Sequence, residues 1–267
     1  MMERGILIAW RLMFRGWRGL LVIPLMLVVG WVAVGGLLHM GPRYGPANAW
    51  DALVFGGVTA QTLALFVAPI FLLATHRDMT KAWEIHIWIH LRSRRIWWGS
   101  DMIALAAAAS LYALATGLGS LGFGGVTLPV SWSWSALARG RRPVGLSSFV
   151  ATPQSPPPLV VGLEIVALLA LGLWLLAVLT RTLTVLLKSP WLGLVLTWAL
   201  VLFQYGLVQF GALGILPWMP GDQFVYLMHF MGVGPRIPVE WSVAYGIAWL
   251  AILIVVGGAA AHRDWSL

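Results

Sequence analysis

The chain reads as an all-α membrane protein: six transmembrane helices preceded by an amphipathic interfacial helix, with both termini cytoplasmic. Three observations carry this reading. Of its 267 residues, 60% are hydrophobic and only 10% are charged, whereas soluble domains carry about a quarter charged residues. Apolar runs of bilayer-spanning length, about 20 residues, recur along the chain. Lys and Arg gather at the ends of those runs, which is where the positive-inside rule places the residues that orient a membrane protein. The formal charge of +8 is therefore read as contact with anionic lipid headgroups and not with nucleic acid. At this length the chain has room for one membrane domain, taken as 1–267.

The first element is Glu3 to Arg18. Arg4, Arg11, Arg15 and Arg18 follow one another at steps of seven, four and three. At about 100° per residue these steps keep all four on one stripe of a helix, with Ile6, Ile8, Leu12, Met13, Phe14 and Trp17 over most of the rest. Such a helix lies in the interface, with guanidinium groups toward phosphates and rings toward acyl chains. The run after it is too long for a signal-peptide core, and no A-x-A-like site closes it.

The first span is expected over about Leu20 to Leu38, with Pro24 near its start as a possible kink. A turn-rich loop covers His39 to Asp51, and the second span runs from Ala52 to Thr75. A cytoplasmic stretch follows from His76 to Asp101, holding Arg77, Lys81, Arg92, Arg94 and Arg95 among Trp83, Trp88, Trp97 and Trp98. Cations beside Trp between two apolar runs describe a loop at the membrane–water boundary, which is either the handle by which a partner moves the membrane part or only a topology anchor.

The third span covers Met102 to Gly124. Residues 125–158, with SWSWS, ARGRR and PQSPPP, read as an irregular exposed outer loop. The fourth span covers Leu159 to Thr180, a cytoplasmic turn Arg181 to Ser189, and the fifth span Pro190 to Phe210. Residues 211–240 are apolar but broken by prolines and glycines, which fits short helices dipping into the outer interface, one of them over Asp222 to Met231. The sixth span covers Trp241 to Ala261. With the termini inside, twelve of the seventeen Lys and Arg residues fall on the cytoplasmic side, which sets the orientation.

Little in the chain suggests bond-making chemistry. There is no cysteine, hence no thiolate ligand or nucleophile. No P-loop occurs for ATP and no G-x-S-x-G elbow for hydrolysis, so the chain is not expected to be an enzyme. His86 and His90, near Glu84, lack the H-E-x-x-H arrangement of a zinc hydrolase, and no metal site is expected. Glu164 is the only carboxylate well inside an expected span. It lies about one turn from the loop, where a structural hydrogen-bonding role suits it better than a place in a proton or substrate path. Gln61, Gln204 and Gln209 either line a pathway or bridge helices, and Ala115 with Gly119 fits small-xxx-small helix packing.

Taken together, these features resemble the permease subunit of type-2 ATP-binding-cassette (ABC) exporters. They are the arginine-striped entry helix, six spans with both ends inside, a longer loop between spans two and three, a broken apolar segment before span six, and the closing Arg263-Asp264. In that family the loop between spans two and three begins with a glutamate and leads to a basic stretch, and Glu84 and Arg92-Ser93-Arg94-Arg95 look like those elements. The resemblance implies two copies of a separate ATPase subunit, which bind ATP and Mg. They would grip Glu84, Arg92, Arg94 and Arg95, and less extensively Arg181 and Lys188. It implies a second permease copy, identical or similar, an inner or plasma membrane of prokaryotic type, and no cofactor on this chain. A second class fits the same residues: a non-transporting membrane anchor or sensor that recruits partners. An intramembrane enzyme ranks last.

Overall fold

The computed structural model describes residues 3, 6–7, 9–10, 16–57, 59–76, 94–140, 151–210, 224–225, 229 and 238–263. Among these, every regular element is helical. A 3₁₀ turn, Gly16–Leu21, leads into α1, Val22–Tyr44. Next comes a short α2, Ala49–Asp51, continued in π-helical form over Ala52–Gly57. The helix α3, Ala60–Thr75, includes a π-helical stretch at Leu63–Val67. The remaining helices are α4 Arg94–Thr127, α5 Ala136–Arg139, α6 Pro158–Leu187, α7 Pro190–Gln209 and α8 Val239–Arg263.

Five helices are long and apolar enough to cross a bilayer: Gly19–Leu38, Arg95–Thr127, Pro158–Leu187, Pro190–Leu207 and Val239–Ala261. The expected second span is not one straight helix. Its parts, Ala49–Phe55 and Ala60–Thr75, meet at 68° and make a sixth crossing only when counted together. The cause is local. Gly56-Gly57 interrupts the first part, and Thr59 restarts the second as an N-cap, its Oγ1 accepting from the Thr62 N–H at 3.0 Å.

The π-helical stretch has its own logic. There the Ala68 N–H donates to the Leu63 carbonyl, five residues back. The same register would pair the Ala64 carbonyl with residue 69, a proline with no N–H. The Trp198 indole of α7 supplies the missing donor, with Nε1 3.3 Å from that carbonyl.

The bundle centres on α4 and α6. The helix α1 crosses α4 at close range: a Cβ added to Gly119 would lie 2.6 Å from the Met26 carbonyl oxygen, and one on Gly30 would lie 2.7 Å from that of Gly119 and would also meet the Phe123 ring. Small residues allow this backbone approach, as the Ala115–Gly119 pair anticipates. On the far side, α6 and α7 form a hairpin closed by Lys188 in the left-handed conformation and by Ser189. Gly193 sits against Thr184 and the Thr180 carbonyl there.

Helix boundaries exceed the expected spans. The first helix continues through His39 to Tyr44, leaving only Gly45, at φ +103°, to Asn48 as the turn. The expected loop 76–101 loses its last eight residues to α4, and α6 runs on to Leu187, so that Arg181 is helical. Apolar side chains of Trp97, Trp98 and Val185 on the bundle side extend both helices beyond the hydrophobic window that marks a span.

The reading of 125–158 as an irregular exposed loop is corrected in part: Val130, Trp132 and most of the other described residues are exposed, but a short helix and a buried patch interrupt the stretch. Ser135 caps α5, and Trp134, Leu137, Ala138 and Ala151 are buried. The Trp134 indole donates to the Pro156 carbonyl at 2.9 Å, and the Leu137 N–H to that of Pro46 at 3.3 Å. Tryptophan has enough apolar area to fold a serine-rich segment onto a bundle end. The basic residues Arg141 and Arg142 lie outside the described residues.

The segment 211–240 is described only at Phe224, Val225, His229 and from Pro238 onward. Phe224 is buried against Gly172, at the midpoint of α6, and against Gly246 of α8. Phe224 therefore lies past the interface, in the middle of the bundle.

Candidate functional site

The polar centre of the described structure lies at one end of the bundle, where α3 stops and α4 starts. A helix leaves its last four carbonyls without intrahelical partners. The Thr75 carbonyl at the end of α3 is one of them, and it accepts from Arg181 Nη2 at 2.8 Å. Nε of the same guanidinium lies 3.3 Å from Asp101 Oδ2. Arg181 is 4% exposed and Asp101 fully buried. A buried ion pair in an apolar bundle survives because each charge answers the other, and removing either leaves an uncompensated charge.

Neighbouring bonds extend the node to two more helices. Thr182 Oγ1 donates to the Leu253 carbonyl of α8 at 3.2 Å, and Trp98 Nε1 to that of Ile254 at 3.0 Å. The Trp98 ring lies in a notch made by Gly257 and Gly258; a Cβ on Gly257 would meet it at 2.5 Å. Thr180 Oγ1 donates to Thr197 Oγ1 of α7 at 3.0 Å, and the His76 ring packs on that of Trp191 with centroids 4.6 Å apart. One layer of side chains thus ties together the ends of α3, α4, α6, α7 and α8. The stretch 77–93 enters and leaves the bundle at this layer.

The site residues expected from sequence fall unevenly on this frame. Arg181, expected to contact a partner, is instead the internal tie: its helix continues past it, and its guanidinium is spent on Asp101 and Thr75. Lys188 and Arg95 are exposed at the same end. Arg94 begins α4. Glu84, Arg92, His86 and His90 lie outside the described residues, as do Arg4, Arg11 and Arg15; Arg18 lies in the 3₁₀ turn before α1.

Glu164 is half-buried on α6. It is not the only acid within the helices, because Asp101 and Asp51 are both fully buried. Asp51 Oδ2 accepts from the Asn48 N–H at 2.7 Å in a capping box at the opposite end of the bundle. Gln61 is exposed beside the break before α3. Gln204 is buried, its Nε2 without a hydrogen-bond partner among the described residues, and Gln209 is the last residue of α7. Among the described residues, no three His, Asp or Glu side chains are grouped to hold a metal ion.

Neither Asp101 nor Trp98 stood out in the sequence. Each sits in the aromatic, charged stretch that reads as loop, and the acid and its arginine are 80 residues apart. The only available signal was the occurrence of one acid and one base, each at the edge of an apolar run.

Compared with protein-family models, curated proteins and solved structures, the chain matches none.

Proposed function

We propose that this protein is the membrane-spanning permease subunit of an ATP-driven exporter of the type-2 ABC kind, moved from its cytoplasmic face by two copies of a separate ATPase. In this reading the bent pair counts as one crossing, giving six spans with both termini inside a cell membrane. A second permease copy completes the pathway, and ATP and Mg bind the partner chains.

One observation carries the reading: the stretch 77–93 is anchored at both ends to the Arg181 layer. His76 and Thr75 hold its start, and Trp98 and Asp101 hold the helix that follows it. A pull on this stretch bears directly on α6, α7 and α8, as a lever requires. The aromatic and basic composition of the stretch suits docking into a partner groove, and the exposed Arg95 and Lys188 flank it. Force transmission of this kind is gating between two packings of a bundle, with no covalent step.

The test is purification from native membranes in mild detergent. A P-loop ATPase should co-purify, with Mg-ATP hydrolysis in the isolated complex. Exchange of Arg94 and Arg95 for Glu should lose the partner or uncouple hydrolysis from transport. Isolation of the intact chain with no nucleotide-hydrolysing partner, or full coupling in the double variant, overturns the reading.

A further inference from the structure

At the bundle end opposite Arg181, the last turn of α4 and the segment after it hold apolar side chains outward. Val126 is 87% exposed, Val130 69% and Trp132 76%. The backbone that carries them is pinned: the Leu128 N–H donates to the Gly124 carbonyl at 2.7 Å, the Ala49 N–H to that of Pro129 at 3.1 Å, and Asn48 Nδ2 to that of Ser133 at 2.8 Å. Trp132 rests near Trp50, ring centroids 6.2 Å apart. These side chains therefore cannot turn inward without breaking the end of the bundle.

What covers them follows from continuity. Leu111, Leu114 and Leu118 form an exposed stripe on α4, and Val126 continues it within an arc of about 120° at about 100° per residue. No charged residue occurs between Asp101 and Arg139, so nothing in the sequence marks where this stripe leaves the bilayer. Depth agrees. From Asp101, a helix tilted by about 20° crosses a core of about 30 Å in roughly 21 residues and reaches the outer edge of the headgroups about five residues later. Val126 then lies at headgroup level, where tryptophan is enriched.

We infer that Val126, Val130 and Trp132 form a foot seated in the lipid interface at this end of the bundle. The occupant is phospholipid, not water and not another protein, and this holds whether or not the chain serves an ATPase.

The chain has no cysteine, so single cysteines can be labelled cleanly. Val126→Cys, Val130→Cys and Trp132→Cys would each carry a nitrobenzoxadiazole dye in phosphatidylcholine vesicles formed in iodide, with doxyl-labelled lipids added at shallow or deep positions. Any variant that keeps the wild-type elution profile serves. Leu111→Cys, near mid-membrane on the same count, provides a deep reference and the exposed Gln154→Cys an aqueous one. Shallow doxyl should quench the foot several-fold more than iodide does, with the reverse at Gln154→Cys. Iodide quenching equal to that at Gln154→Cys overturns the inference. Protection from both quenchers also overturns it, and would assign the surface to a second copy or another protein.

Discussion

Replacing Arg181 by Met removes a guanidinium from a buried site. Asp101 then keeps a fully buried carboxylate without its 3.3 Å partner, and the Thr75 carbonyl loses its 2.8 Å donor. Breaking a buried pair from one side costs about 3–5 kcal/mol, most of it the stranded charge. The double variant Arg181→Met with Asp101→Leu strands no charge, and its loss should fall to about 1–2 kcal/mol, near that of the orphaned carbonyl alone. Reversible unfolding in mixed micelles, with both single variants and the double, gives the coupling energy. A loss below about 1 kcal/mol for Arg181→Met, or a double variant no better than the single, would refute the claim that this pair is desolvated and mutually compensating.

Other consequences follow from contacts already described. Gly119→Leu drives a side chain into the Met26 backbone and should destabilise by at least about 1–3 kcal/mol, read as a lower thermal midpoint by light scattering, whereas a midpoint equal to wild type would separate α1 from α4 there. Trp198→Phe removes the donor to the Ala64 carbonyl and should cost about 1 kcal/mol; in a Pro69→Ala background, which restores a backbone N–H, the same change should cost much less in the unfolding assay. Arg95→Glu with Lys188→Glu alters two exposed cations, so stability should stay within about 0.5 kcal/mol while partner binding in pull-down falls. Equal retention of the partner would move docking away from this face.

The spanning helices were legible because their signal is a length of uninterrupted apolar sequence, as in Leu20 to Leu38 and Pro190 to Phe210. Their ends were less so. Arg94 to Asp101 contains three charges and reads as loop, yet it is helical because Trp97 and Trp98 face the bundle and Asp101 meets Arg181. Such tertiary partners are invisible to a window of residues. The break between Phe55 and Ala60 was hidden for the opposite reason: Gly56-Gly57 lies in a run apolar enough to pass as one span, and hydropathy carries no record of direction. Of the candidate site, sequence located the bundle end and its cations. It mistook Arg181 for a surface group, because whether an arginine just past an apolar run points to water or to an acid depends on a helix 80 residues away.

The contact of Gly119 with the Met26 backbone has a mechanical meaning. Where two helices touch main chain to main chain, no rotamers lie between them to be exchanged, and packed interiors change by switching between discrete arrangements. The first helix and the long central one therefore turn as one stiff frame. Relative displacement falls to joints made of rotatable groups, the threonine hydroxyls at 180 and 197 and the indole seated on Gly257.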